Sequence, residues 1–186
     1  MKKQILTLGL VVATCTMVSY NASAQEPMVG GEKMYPAKNI VENAVNSKDH
    51  TTLVAAVQAA GLVETLQSKG PFTVFAPVND AFENLPEGTV ETLLKPENKA
   101  MLVKVLTYHV VAGKMDFATL SAAIKKGNGM ATLTTVSGGK LIAKMNGMHN
   151  ITVTDENGNT ANISTYDVYQ SNGVIHVLDK VVLPKM

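Results

Sequence analysis

The sequence has no arginine; all sixteen of its basic residues are lysine. Forked, bidentate recognition of phosphate or carboxylate by a guanidinium is therefore excluded. A single cysteine, Cys15, lies close to the N-terminus, so the rest of the chain has no disulfide and no thiol chemistry. The four histidines, His50, His109, His149 and His176, include no pair at i, i+2 or i, i+4, the spacings that let one element offer two ligands to zinc. There is no Gly-x-Ser-x-Gly turn around a nucleophile, no His-Glu-x-x-His helix and no lysine-bearing glycine loop for a phosphate. Asp155-Glu156-Asn157-Gly158-Asn159 has the composition of a calcium loop without its spacing. Its glycine falls at the fourth position instead of the sixth, and Tyr166 stands at the twelfth, where a bidentate glutamate belongs. The segment reads as an Asn-Gly hairpin tip. No metal, cofactor or catalytic set is expected, although two carboxylates distant in the chain can still meet in a fold.

What is present begins with export. Lys2 and Lys3 precede an apolar run from Ile5 to Thr14, and Ala22-Ser23-Ala24 supplies a small-residue exit, which together predict a secretory signal peptide over 1–24. The apolar run is shorter than the ~20 residues a spanning helix needs, and no later segment is long and apolar enough. Cys15 offers a rival reading as a lipidated cysteine. Thr14 before it and the apolar residues after it speak against that reading. Removing 24 of the 186 residues leaves 162, the size of one domain with a substantial core. Fourteen lysines then face fifteen acidic residues, a balance that argues against nucleic acid or an anionic membrane as the main partner.

Residues 25–38 show no period and contain two glycines and two prolines, so a flexible leader is expected there, with the domain over 39–186. Asn39 with Glu42 forms a capping box for a helix bearing Ile40, Val41, Ala44 and Val45. Leu53, Val54, Val57 and Ala60 predict a second helix that Gly61 ends, and Leu62, Val63 and Leu66 a short turn before Gly70-Pro71. Phe72–Val78 is apolar at nearly every position, as in a strand covered on both faces. Asn79 or Asp80 can cap the helix that follows it. Thr89, Pro96-Glu97 and Asp116 open further helices, the second carrying Leu102, Leu106 and His109 on one face, the third carrying Leu120 and Ile124 inward. After Gly129 the pattern changes to strands, with hairpins at Gly138-Gly139 and Asn157-Gly158, short strands at Thr160–Ser164 and Tyr166–Tyr169, and a central strand over Val174–Leu183. Helices with one early strand, then mostly strands, predict an α+β fold and not a βαβ repeat. His109 and His176, on apolar elements, read as core histidines with bonded rings.

Three segments carry a family resemblance. Thr73-Val74-Phe75-Ala76-Pro77-Val78-Asn79-Asp80-Ala81-Phe82, Leu106-Thr107-Tyr108-His109-Val110-Val111 and the run Asn172 to Pro184 resemble, in order, the first, central and closing signatures of the fasciclin domain. The resemblance covers about Ile40 to Pro184. It implies a β-sheet wedge packed against an N-terminal helical layer. It also implies an exported, non-enzymatic adhesion module, secreted, periplasmic or at the cell surface, contacting a surface or matrix protein or polysaccharide. By the same resemblance Asp167-Val168 and Tyr108-His109 are the partner-binding candidates, while Asn79, Asp80 and His176 are structural. Two other readings remain open: a periplasmic small-ligand or carbohydrate-binding protein, which a large concave apolar pocket would favour, and a hydrolase, which two carboxylates in a cleft with a perturbed pKa would favour.

Overall fold

The structure is a computed structural model that describes residues 26–185. The predicted signal peptide over 1–24, its cut after Ala24 and the lipidation alternative at Cys15 lie outside the described residues.

The helical layer follows the capping chemistry. Helix α1 (Ile40–Ala44) opens on Asn39, whose side chain accepts the Glu42 N–H at 2.9 Å while the Glu42 carboxylate accepts the Asn39 N–H at 2.8 Å. Helix α2 (Thr51–Ala60) ends at Gly61, which takes the left-handed conformation at φ +74° that only glycine adopts without strain. Helix α3 (Val63–Gln67) leads into strand β3 (Phe72–Pro77), followed by α4 (Asn79–Glu83), α5 (Thr89–Leu94), α6 (Lys99–Tyr108), strand β4 (Val110–Ala112) and α7 (Phe117–Lys126). Asp116 caps α7 by accepting the Thr119 N–H, and its Leu120 and Ile124 are fully buried. Strands β5 (Met130–Thr134), β6 (Lys140–Asn146), β7 (Asn150–Thr154), β8 (Thr160–Gln170) and β9 (Gly173–Leu178) complete the chain.

These strands form a seven-stranded sheet of order β4-β3-β9-β8-β7-β6-β5, antiparallel except where β3 runs parallel to β9. The sheet curls until its edges touch: Val111 bridges Thr135, and the Val136 N–H donates to the Val110 carbonyl at 2.8 Å. Two cores result. Inside the curl lie Phe75, Tyr108, Leu120, Leu141, Ile151, Val153 and Leu178. Outside it, under the helices, lie Ile40, Leu53, Leu102, Leu106, Val74, Ile175 and Val177. Alternate residues of β3 and β9 feed opposite cores, which is why neither strand shows a polar face. The fold is the expected α+β wedge against a helical layer.

Three elements depart from expectation. Thr160–Ser164 and Tyr166–Tyr169 are one eleven-residue strand, bent by register breaks on either side of Thr165, with Asp167 at φ +56°. The closing strand ends at Leu178 rather than Leu183, because the Asp179 carboxylate turns back to accept from the Asn162 N–H and side-chain amide. Residues 26–38, expected within a flexible leader, contain a hairpin of β1 (Met28–Val29) and β2 (Glu32–Lys33). Val29 and Met34 are buried in the helical core. Asn43 bonds the Tyr35 backbone in both directions and also bonds Gln170 of β8. Apolar residues spaced too irregularly to show a period anchor this segment.

Candidate functional site

Tyr108 and His109 end α6 and point into the protein. The Tyr108 hydroxyl donates to the Lys140 carbonyl at 2.7 Å and accepts the Glu156 N–H at 3.1 Å, fastening the helix to two hairpins. Its side chain is fully buried, and that burial pushes its pKa up to about 12. His109 donates from Nδ1 to the Val105 carbonyl at 2.8 Å and accepts the Val182 N–H on Nε2 at 3.3 Å. One donor and one acceptor is the pattern of a neutral ring, and burial holds its pKa down at about 4.

His176 has the opposite tautomer. Its Nε2 donates to the Met115 carbonyl at 2.8 Å, and its Nδ1 accepts the Asp167 N–H at 3.4 Å. Burial lowers its pKa also. The ring stacks on Phe75 at 5.7 Å between centroids. Asp167 in turn accepts the Phe117 N–H at 2.7 Å, so the bulge in β8 holds the start of α7. His176 and Asp167 are thus brought together; Tyr108 and His109 sit at another seam. Val168 is buried. Buried side chains at Tyr108, His109 and Val168 offer a partner no atom in this conformation, and of the four partner-binding candidates only Asp167 is partly exposed. Beside it Tyr169 is half-buried and carries Lys114 over its ring, with the ammonium 4.3 Å from the centroid.

Asn79 does not cap the helix that it begins. Its side-chain oxygen accepts the Thr52 N–H at 3.0 Å and the Thr51 hydroxyl at 3.2 Å, and its amide donates to the Lys48 carbonyl at 2.9 Å. It therefore caps α2, a helix 28 residues earlier in the chain, whose own preceding residue His50 provides no side-chain cap. Asp80 is exposed, and among the described residues no hydrogen bond to its carboxylate is found, which corrects the expectation that either residue caps the next helix. Asn172, the first residue of the closing signature, is the more demanding structural group. It accepts the Ile40 N–H at 3.0 Å and donates to the Leu66 and Ser68 carbonyls at 2.8 Å each, tying α1 and α3 to the sheet. Asp155 behaves as the hairpin reading requires: its carboxylate accepts from Asn157, Asn159 and Leu183 within the chain.

Sequence reasoning missed one feature entirely. Between the helical layer and the sheet lies an apolar cavity of about 320 Å³. Met34, Ile40, Val57, Leu66, His109 and Val168 are among the residues around it, so two of the sequence-predicted residues form its wall. Among the described residues, no lysine, aspartate or glutamate lines it. Among the described residues no helix is long and apolar enough to cross a membrane, and no group of three or more histidine, aspartate and glutamate side chains could hold a metal ion.

A curled mixed sheet and a helical layer, with His109 and His176 bonded through both ring nitrogens, define a fold of the α+β class. The fasciclin domain pattern matches residues 48–184, and the chain belongs to the fasciclin domain family. Protein sll1483 of Synechocystis sp. is 44% identical over 179 residues, covering 96% of this chain and 91% of that protein. The transforming growth factor-beta-induced protein ig-h3 of Sus scrofa is 33% identical over 150 residues, 80% of this chain but 20% of that protein. Among solved structures, a FAS1 domain pair from the insect cell adhesion molecule Fasciclin I has the same fold, with a TM-score of 0.68 at 15% identity. That match covers 78% of this chain and 51% of the insect one, so the chain corresponds to about half of the pair.

Proposed function

We propose that the protein is an exported, non-enzymatic binding module that contacts a protein or polysaccharide of the cell surface or its surrounding matrix. Membership of the fasciclin domain family over most of the chain carries this reading, and the structure described for the insect relative comes from a cell adhesion molecule. The commitment of the polar groups supports it: His109 and His176 each bond backbone groups through both ring nitrogens, which leaves neither poised to shuttle a proton. The contact surface we assign is the partly exposed patch of Asp167, Tyr169, Lys114 and Asp116, an aromatic ring flanked by charges of both signs. The test is adhesion of a deletion strain complemented with the parent or with Tyr169→Ala. Attachment is expected to fall in the deletion and to return only with the parent. A deletion strain that attaches and aggregates like the parent sinks the reading. Export is tested by mass spectrometry of the native N-terminus, expected to begin at Gln25; a lipid-modified Cys15 refutes the cut after Ala24.

The apolar cavity favours a second reading, in which the module holds a small ligand, since clefts of roughly 300–1,000 Å³ with apolar walls are where proteins bind small molecules.

A further inference from the structure

The second reading can be made specific, and the inference that follows rests on it. The cavity walls come from both layers: Val41 and Ala44 of α1, Val54 and Val57 of α2, Leu66 of α3, and Ile175 of β9. Of the seven polar side chains among the lining residues, those of Gln58, Thr65 and Gln67 are exposed to solvent, at the rim. The Thr107 hydroxyl is bonded to the Val103 carbonyl at 2.6 Å, and Ser47 pairs with Nδ1 of His50 at 2.8 Å. Both His109 nitrogens are bonded. That leaves Nε2 of His50. It is buried, belongs to a residue that lines the cavity, and has no hydrogen-bond partner; among the described residues no other buried side-chain nitrogen or oxygen is in that position. The Ala76 carbonyl lies near enough to favour the proton on the ring but completes no hydrogen bond of normal geometry. A buried polar atom left unpaired is costly, so a molecule in the cavity whose hydrogen-bonding group reaches this ring relieves that cost.

Charge sets the rest of the specificity. Among the described residues, no lysine, aspartate or glutamate lines the cavity, and burial lowers the His50 pKa, which keeps the ring neutral at neutral pH. A charged head brought inside would be desolvated with no counter-ion. Size follows from the volume: at about 30 Å³ for each water-sized group, 320 Å³ accommodates on the order of ten heavy atoms. Val45 and Val136, both about half exposed, also border the cavity and give an apolar approach from solvent.

We infer that this cavity binds an uncharged, mainly hydrocarbon molecule of medium chain length with a single hydroxyl or carbonyl group, which becomes the hydrogen-bond partner of His50 Nε2.

The test uses the purified protein, Nile red as a fluorescent occupant, and 1-decanol, decyl sulfate and decyltrimethylammonium as competitors. Expected is displacement of Nile red by 1-decanol, with both charged analogues at least tenfold weaker. Saturation with 1-decanol at about a hundred times its Kd should raise Tm by roughly 5–10 °C. Val57→Phe, which fills the cavity from α2, should weaken 1-decanol at least tenfold without lowering Tm. His50→Leu should weaken it about fivefold, one net hydrogen bond's worth. Equal binding of the charged analogues overturns the ligand class while leaving a small-ligand site standing. Undiminished binding by Val57→Phe overturns the site. Failure of every probe to bind or to move Tm overturns the small-ligand reading itself.

Discussion

Replacing Asn79 by alanine separates a cap that acts across the fold from one that acts along the chain. Asn79 makes three hydrogen bonds to the start of α2, to the Thr52 N–H, the Thr51 hydroxyl and the Lys48 carbonyl. The Thr52 N–H is one of the helix's own unpaired donors, and losing a side-chain cap on such a donor costs about 0.5–2 kcal/mol. The two remaining bonds are more exposed and add about 1 kcal/mol together, at the low end for net hydrogen bonds. The sum, about 2 kcal/mol, corresponds to a fall in Tm of roughly 4–8 °C for a domain of this size. Asp80, one residue on, is exposed and makes no such bond, so Asp80→Ala should stay within about 0.5 kcal/mol. Paired thermal melts, followed by circular dichroism, read both variants. If Asp80→Ala matches or exceeds Asn79→Ala, the capping carboxylate belongs to the following helix and the cross-fold assignment is refuted.

Acid should weaken the fold through its buried histidines from about pH 6.5 downward. His109 stays neutral when folded, with its pKa at about 4, and takes up a proton near the ordinary 6.5 when unfolded. Its contribution is therefore complete above pH 6.5 and is lost as pH falls toward 4, at up to about 1.4 kcal/mol per pH unit, with His50 and His176 shifted in the same direction. Asp116 and Glu156, with pKa values lowered from 3.8 and 4.5, begin to lose their contributions only as pH nears those values, at the acid end of that window. Tm should drop by several degrees between pH 7.5 and pH 5, and equal melts at the two pH values would count against neutral buried histidines. Tyr108→Phe leaves the Glu156 N–H and the Lys140 carbonyl without a partner, at a cost of about 1–3 kcal/mol, while surface attachment should be unchanged because the ring never meets solvent. Lost attachment at unchanged Tm would restore Tyr108 as a contact residue.

The elements were legible wherever a local rule acts alone. The Asn39–Glu42 box, Gly61 at its positive φ, the Asp116 cap and the apolar run of β3 each follow from neighbours within a few residues, and each is found where the spacing puts it. What was not legible depends on residues far apart. The parallel pairing of Phe72–Pro77 with Gly173–Leu178 joins strands a hundred residues distant, and nothing in either segment names the other. Asn79 reads as a cap for the helix that follows it, because local and remote capping use the same amide, and Asn172 beside Gly173 has the composition of a turn whatever its side chain reaches. The burial of Tyr108 and Val168 was hidden for a related reason: a residue at a helix end or beside a bulge reads as exposed until a second layer covers it. The cavity leaves no mark in the sequence at all. It is a volume that the side chains of α1, α2 and β9 fail to fill, and the periodicity that makes them face inward is the same whether they meet or not.

The chemistry of the three motif segments points to seams inside the fold rather than to a surface. The first segment contains Asn79, which fastens α2 to the end of β3. The central one places Tyr108 and His109 so that they fasten α6 to the β5–β6 and β7–β8 hairpins and to Val182. The closing one begins with Asn172, which fastens α1 and α3, and contains His176, which fastens the loop before α7 through the Met115 carbonyl. Each of these side chains bonds backbone groups, and backbone groups are the same whatever the partner or ligand. Residues so used hold the helical layer against the sheet and carry no information about what the module binds. Specificity then has to reside in side chains outside those contacts: the Tyr169 patch at the surface, and the apolar wall with the unpartnered nitrogen of His50. Exchanging these between relatives should transfer binding while leaving the melting temperature nearly unchanged, whereas exchanging the motif residues should do the reverse.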